Sequence, residues 1–153
     1  MDSPARLPHP ISDERTVALL DAALGSRPAE VLIAGAHVAV FDSEDQVKAL
    51  RPDIAAIAKL DVPYVSVTAP AQLDNVDFVS RFFAPGAGID EDPVTGSAHT
   101  WLAPYWSARL GKRALTARQV SKRGGTLWRQ TLGDRVLISG RVSEYLEGQI
   151  TLP

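Results

Sequence analysis

RFFAPGAGIDEDPVTGSAHTWLAPYWSARL, residues 81–110, is the stretch on which the fold turns. Phe82 and Phe83 end a β-rich run, and Pro85, Gly86 and Gly88 force the chain to turn. Asp90, Glu91 and Asp92 follow, and Pro93 bars helix at the residue before it. A helix then opens, with Thr95 or Ser97 placed to cap it and Gly96 between them leaving backbone N–H groups free at the tip. A helix N-terminus approached through glycines suits a carboxylate or phosphate. An acid beside such a cradle can bind an acidic substrate and move a proton. Acids ahead of a helix also suit its macrodipole without any chemistry, and Thr-Gly-Ser can be a cap alone. Both readings stand on these residues.

The helix from Ser97 to Leu110 has no polar face. Ala98, Trp101, Leu102, Ala103, Tyr105, Trp106, Ala108 and Leu110 surround its axis, which is the pattern of a buried helix. Pro104 is expected to kink it, and Trp101 and Trp106 read as core. Upstream, Tyr64 to Ala69 and Asp77 to Phe83 read as strands joined by a polar loop from Pro70 to Asn75. Before them come short helices at Ser43–Leu50 and Asp53–Leu60, and a β-rich run at Glu30–Phe41 broken by Gly35. A first helix spans Ser12 to Leu24, capped by Ser12 and stopped by Gly25. Downstream, Thr116–Val120, Thr126–Leu132, Arg135–Ser139, Arg141–Leu146 and Gln149–Leu152 read as strands separated by tight turns. The expected fold class is therefore α+β: a curved, barrel-like mixed β-sheet wrapped around a central helix whose N-terminal tip emerges at the mouth. Residues 1–10, with three prolines, read as an extended leader or connector, and residues 11–153 as a single domain.

The 153 residues suffice for one domain with a real core. A net charge of −2 gives no reason to expect nucleic acid or an acidic membrane as a partner. The lack of cysteine excludes disulfides, thiolate zinc sites and a cysteine nucleophile. No apolar h-region opens the chain and no window reaches the length of a membrane span, so a cytoplasmic location is the default expectation. His9, His37 and His99 lack ligand spacing, and the acids at 90–92 fit no EF-hand pattern, so no metal is expected. Lys112, Arg113, Arg118, Lys122 and Arg123 lack interleaved aromatics and read as a solvated face. Ser97 lies in no Gly-x-Ser-x-Gly elbow, which argues against a hydrolase triad. Arg81 is placed either to hold a substrate carboxylate or to pair with Asp90 or Asp92.

FFAPGAGIDEDPVTGSAH followed by LAPYW resembles the signature of the phenazine-biosynthesis PhzF-like isomerases. The similarity continues through VFDSEDQVKALRPD upstream and through ARQVSKRGG and YLEGQITLP downstream, so it covers essentially the whole chain. The resemblance implies one half, the C-terminal one, of a diaminopimelate-epimerase-like fold, in which two similar halves face their central helix tips across a cleft. It implies cofactor-free proton transfer on a small acidic metabolite in a biosynthetic pathway, without metal, flavin or pyridoxal. Asp92 matches the pocket aspartate. Gly96 and Ser97 match the turn at the helix tip, whose N–H groups and hydroxyl would hold a substrate carboxylate or assist proton transfer. Asp92 and Ser97 are therefore the catalytic candidates. Thr95, Gly96, Ser97 and Arg81 are the candidate substrate-binding residues. The family's principal base, a glutamate near an Asn-Pro pair, and a histidine-bearing helix tip belong to the first half and have no counterpart here. A homo-oligomer or a separately encoded first half is therefore expected to complete the cleft. The alternative is a non-catalytic anion-binding or assembly module without the base.

Overall fold

Three helices open on side chains that satisfy their first N–H groups. The computed structural model describes residues 1–151. Helix α1 (Glu14–Leu24) opens on Asp13, not Ser12: its carboxylate accepts from the Thr16 N–H at 3.0 Å and the Thr16 hydroxyl at 2.6 Å. Gly25 ends it in the left-handed region at φ 68°. Helix α2 (Glu44–Ala49) has a capping box made by Ser43 and Gln46, and α3 (Ile54–Ile57) is capped by Asp53. Helix α4 (His99–Leu110) is the central one.

Among the described residues, ten strands make one mixed sheet. They are β1 (Asp2–Pro4), β2 (His9–Pro10), β3 (Glu30–Ile33), β4 (His37–Val40), β5 (Val65–Pro70), β6 (Phe78–Ala84), β7 (Ile89–Glu91), β8 (Ala114–Gln119), β9 (Gly125–Leu132) and β10 (Arg135–Gly140). Their order is β1-β10-β9-β8-β6-β5-β4-β3-β2, with β7 paired to β6 off this path. The pairs β4/β5 and β6/β8 are parallel and the others antiparallel.

The leader, expected as a connector, is part of the sheet at both ends. β1 pairs with β10 and β2 with β3, leaving only residues 5–8 between them. Five Cα steps reach at most about 18 Å. Nine strands laid flat at about 4.8 Å spacing would put the ends nearly 40 Å apart. The sheet must therefore curl, and α4 lies in the curl. Among the described residues no ladder joins β1 to β2, so the curved sheet is open and not a closed barrel. Prolines are tolerated in the leader because edge positions do not need every N–H.

The leader also repairs the central helix. Pro104 has no N–H to give the Thr100 carbonyl, and that carbonyl accepts from the Arg6 N–H at 3.0 Å instead. α4 is buried from His99 to Pro104 and at Trp106, whereas its last three residues are exposed. The Trp106 indole stacks on Phe78 at 5.4 Å and donates to the Thr68 hydroxyl at 2.9 Å; Trp101 donates to Ser66 at 3.2 Å. The other face of the sheet buries Leu20, Leu24, Val47 and Ile57 of α1–α3.

The strands expected at Arg141–Leu146 and Gln149–Leu152 do not form. Residues 141–151 have no regular structure, and Leu152 lies outside the described residues. The apolar pattern is present, but both hydrogen-bonding edges of β10 are already taken by β9 and β1.

Candidate functional site

The β6–β7 hairpin delivers the acids to the tip of α4. Pro85–Ala87 forms a 3-10 turn, Gly88 follows at φ 74°, and β7 returns along β6 with Phe83 opposite Glu91. Gly86 is required by close approach, since a Cβ there would stand 2.6 Å from the Pro63 ring. Asp92, half-buried, then leaves the ladder by donating its N–H to the Phe82 carbonyl at 2.9 Å.

From Asp92 to His99 the loop folds onto itself. The Thr95 hydroxyl donates to Asp92 Oδ2 at 2.6 Å. The Thr95 N–H donates to Gln119 Oε1 at 2.8 Å, and the Thr95 carbonyl accepts from His99 Nδ1 at 2.6 Å. Thr95 is therefore buried beneath the tip and does not cap the helix as expected. The N-cap is Ala98, which has no capping side chain. Among the described residues no acceptor meets the N–H groups of Gly96, Ser97 and Ala98. Ser97 is exposed, with its carbonyl held by the Thr100 hydroxyl at 2.8 Å. The tip thus presents three backbone donors and a free hydroxyl beside a carboxylate whose second oxygen is unoccupied.

His99 is fully buried at 0% exposure. Burial, and then the nearby Arg129 guanidinium, hold its pKa well below the usual histidine range, against a smaller opposite effect of the Thr95 carbonyl. It is thus a neutral imidazole that carries its proton on Nδ1. Arg129 is itself buried over the Phe78 ring at 4.6 Å, and burial lowers its pKa to about 9, which leaves it charged at neutral pH. The Arg129 Nη2 donates to the Leu127 carbonyl at 3.0 Å; Nε and Nη1 have no protein partner, nor does His99 Nε2.

The Arg81 guanidinium is held by internal partners. Its Nε and Nη2 donate to the two Glu91 oxygens at 2.7 and 3.1 Å, and Nη1 donates to the carbonyls of Val47 and Leu50. Neither Asp90 nor Asp92 is its partner; Glu91 is, because β6 and β7 face each other there. A cleft of about 580 Å³ lined by Asp90, Glu91, Pro93, Ser121, Lys122 and Arg123 flanks the loop on one side. Among the described residues no three His, Asp or Glu side chains gather as a metal site, and no helix is long and apolar enough to cross a membrane.

Gln119 and Ser121 were not singled out from sequence. The available signal was phase: Leu115, Ala117 and Gln119 point inward along β8, so the glutamine occupies an apolar position of the alternation.

The sequence model of the phenazine biosynthesis-like proteins (PhzC-PhzF) matches residues 1–148. A Pseudomonas aeruginosa protein named an uncharacterized isomerase is 47% identical over 153 residues, covering 99% of this chain and 57% of that protein. The crystal structure of a PhzF-family protein from Enterococcus faecalis superposes with a TM-score of 0.85 at 42% identity, covering 92% of this chain and 52% of that one. A Clostridium difficile PhzC/PhzF crystal structure gives 0.84 at 35% identity, covering 99% and 57%. The chain therefore spans about half the length of the relatives it matches.

Proposed function

Because the chain belongs to the phenazine biosynthesis-like family, whose curated members include proteins named isomerases, we propose that it supplies one face of a cofactor-free isomerase site. The substrate is a small acidic metabolite. Its carboxylate sits on the N–H groups of Gly96, Ser97 and Ala98, where negative charge is favoured by the helix tip. Asp92 and Ser97 take part in moving the proton, and Thr95 acts from beneath by holding Asp92. One observation carries this reading: the free Asp92 oxygen, the exposed Ser97 hydroxyl and three unpaired N–H groups share one tip.

Proton transfer between two carbon positions needs a base near its target, and a second face provides it. A complementary half, whether joined to this one or encoded separately, or a second copy of this chain completes the cleft. Val142, Tyr145, Leu146 and Ile150 stand almost fully exposed within residues 142–150, which favours association.

The test is solvent deuterium incorporation. The chain, alone and with the product of a neighbouring reading frame, is incubated in D2O with a panel of small amino and unsaturated carboxylic acids. Exchange into at least one acid is expected, falling at least about 100-fold in Asp92→Asn. Exchange that survives Asp92→Asn overturns the site assignment. Binding of the acids without exchange under either condition makes the chain an anion-binding module.

A further inference from the structure

The ARQVSKRGG segment, residues 117–125, contributes no group to the substrate face, yet its side chains hold the loop that does. Gln119 is fully buried and spends its whole carboxamide on that loop. Its Nε2 donates to the Asp92 carbonyl at 2.7 Å and to the Thr95 hydroxyl at 3.1 Å, while its Oε1 accepts from the Thr95 N–H at 2.8 Å. Two residues on, the Ser121 hydroxyl donates to the Pro93 carbonyl at 2.7 Å and accepts from the Gly124 N–H at 3.0 Å. Val94, between these anchors, packs so closely on Gly125 that a Cβ there would stand 2.5 Å from it. Every residue from Asp92 to Thr95 is thus gripped from β8 and the turn that follows it.

We infer that Gln119 is a positioning residue: it fixes the Asp92 carboxylate relative to the tip of α4 by acting through Thr95. This rests on the reading of Asp92 and the tip given above. The chemistry explains the residue type. The Thr95 hydroxyl has one proton, and because it accepts from Gln119 Nε2, that proton is directed to Asp92 Oδ2. A carboxylate at position 119 has no donor for either the Asp92 carbonyl or the Thr95 oxygen. An apolar side chain leaves a buried carbonyl and a buried N–H unpaired. The glutamine alone among comparable side chains offers two donors and an acceptor at this reach.

The experiment is NMR on the isotope-labelled 153-residue chain, wild type against Gln119→Met, with no ligand added. The Thr95 amide is expected to exchange at least about tenfold faster in the variant, as one buried hydrogen bond is lost. The Asp92 carboxyl carbon resonance moves by more than its linewidth, and the Gly96, Ser97 and Ala98 amides shift with it. Amides of β9 and β10 stay protected, which separates a moved loop from general unfolding. Thr95 exchange and an Asp92 carboxyl resonance that both stay at wild-type values overturn the inference. If Gln119→Met loses protection throughout the sheet, Gln119→Asn decides. It keeps the carboxamide but draws it back by one methylene from Thr95, and must move the Asp92 resonance while β9 and β10 stay protected, or the inference fails. Neither readout involves a substrate. An unmoved loop therefore overturns this inference alone, whereas deuterium exchange that survives Asp92→Asn overturns the functional reading.

Discussion

Replacing His99 by Gln should flatten the acid side of the stability profile. His99 has 0% exposure, and burial together with Arg129 keeps it neutral in the native state. In the unfolded chain it titrates near 6.5. Below that pH the unfolded state binds a proton that the native state refuses, so stability falls as the pH drops. From pH 7 to pH 5, protonation of a single unfolded-state imidazole with that pKa removes about 1.9 kcal/mol of folding stability. Glutamine at 99 still carries an amide N–H but cannot titrate. Urea unfolding of both proteins at pH 7, 6 and 5 reads the difference, since everything but residue 99 is common to them. The expected gap between the two pH profiles is about 2 kcal/mol at pH 5 after alignment at pH 7. Parallel profiles would refute the claim that His99 is held neutral.

Two further outcomes follow from packing. Gly125→Ala places a methyl 2.5 Å from the Val94 side chain and should cost about 1–3 kcal/mol, whereas Gly140→Ala, with nothing within 4 Å of the added atom, should leave the thermal midpoint within a degree or two. Equal midpoints for the two variants would show that the loop does not press on β9. Trp106→Phe removes both ring volume and the bond to Thr68, at an expected cost of about 2–4 kcal/mol by chemical denaturation. A loss below about 0.5 kcal/mol would place Trp106 outside the core.

What could be read from sequence was whatever a residue's own neighbours decide. The absence of a polar face put α4 inside the sheet, and Gly25 and Ser43 marked helix ends because caps and left-handed glycines act within one turn. What could not be read was the availability of partners. The leader, with three prolines, scores poorly as β structure, yet it supplies both edge strands and the N–H that Pro104 denies to Thr100. Residues 141–146 score well, yet no open edge of β10 is left for them. Arg81 and Gln119 repeat the lesson at the level of single side chains. Arg81 was open to a substrate carboxylate or to Asp90 or Asp92, but register put Glu91 opposite Phe83 and gave it the guanidinium. Gln119 carried no charge and, within ARQVSKRGG, no assigned role, but the inward phase of β8 put it under Asp92. Where an acid and a helix tip mark a site in sequence, the residues that hold them are better sought as polar side chains on the inward phase of a neighbouring strand than as further charges beside the motif.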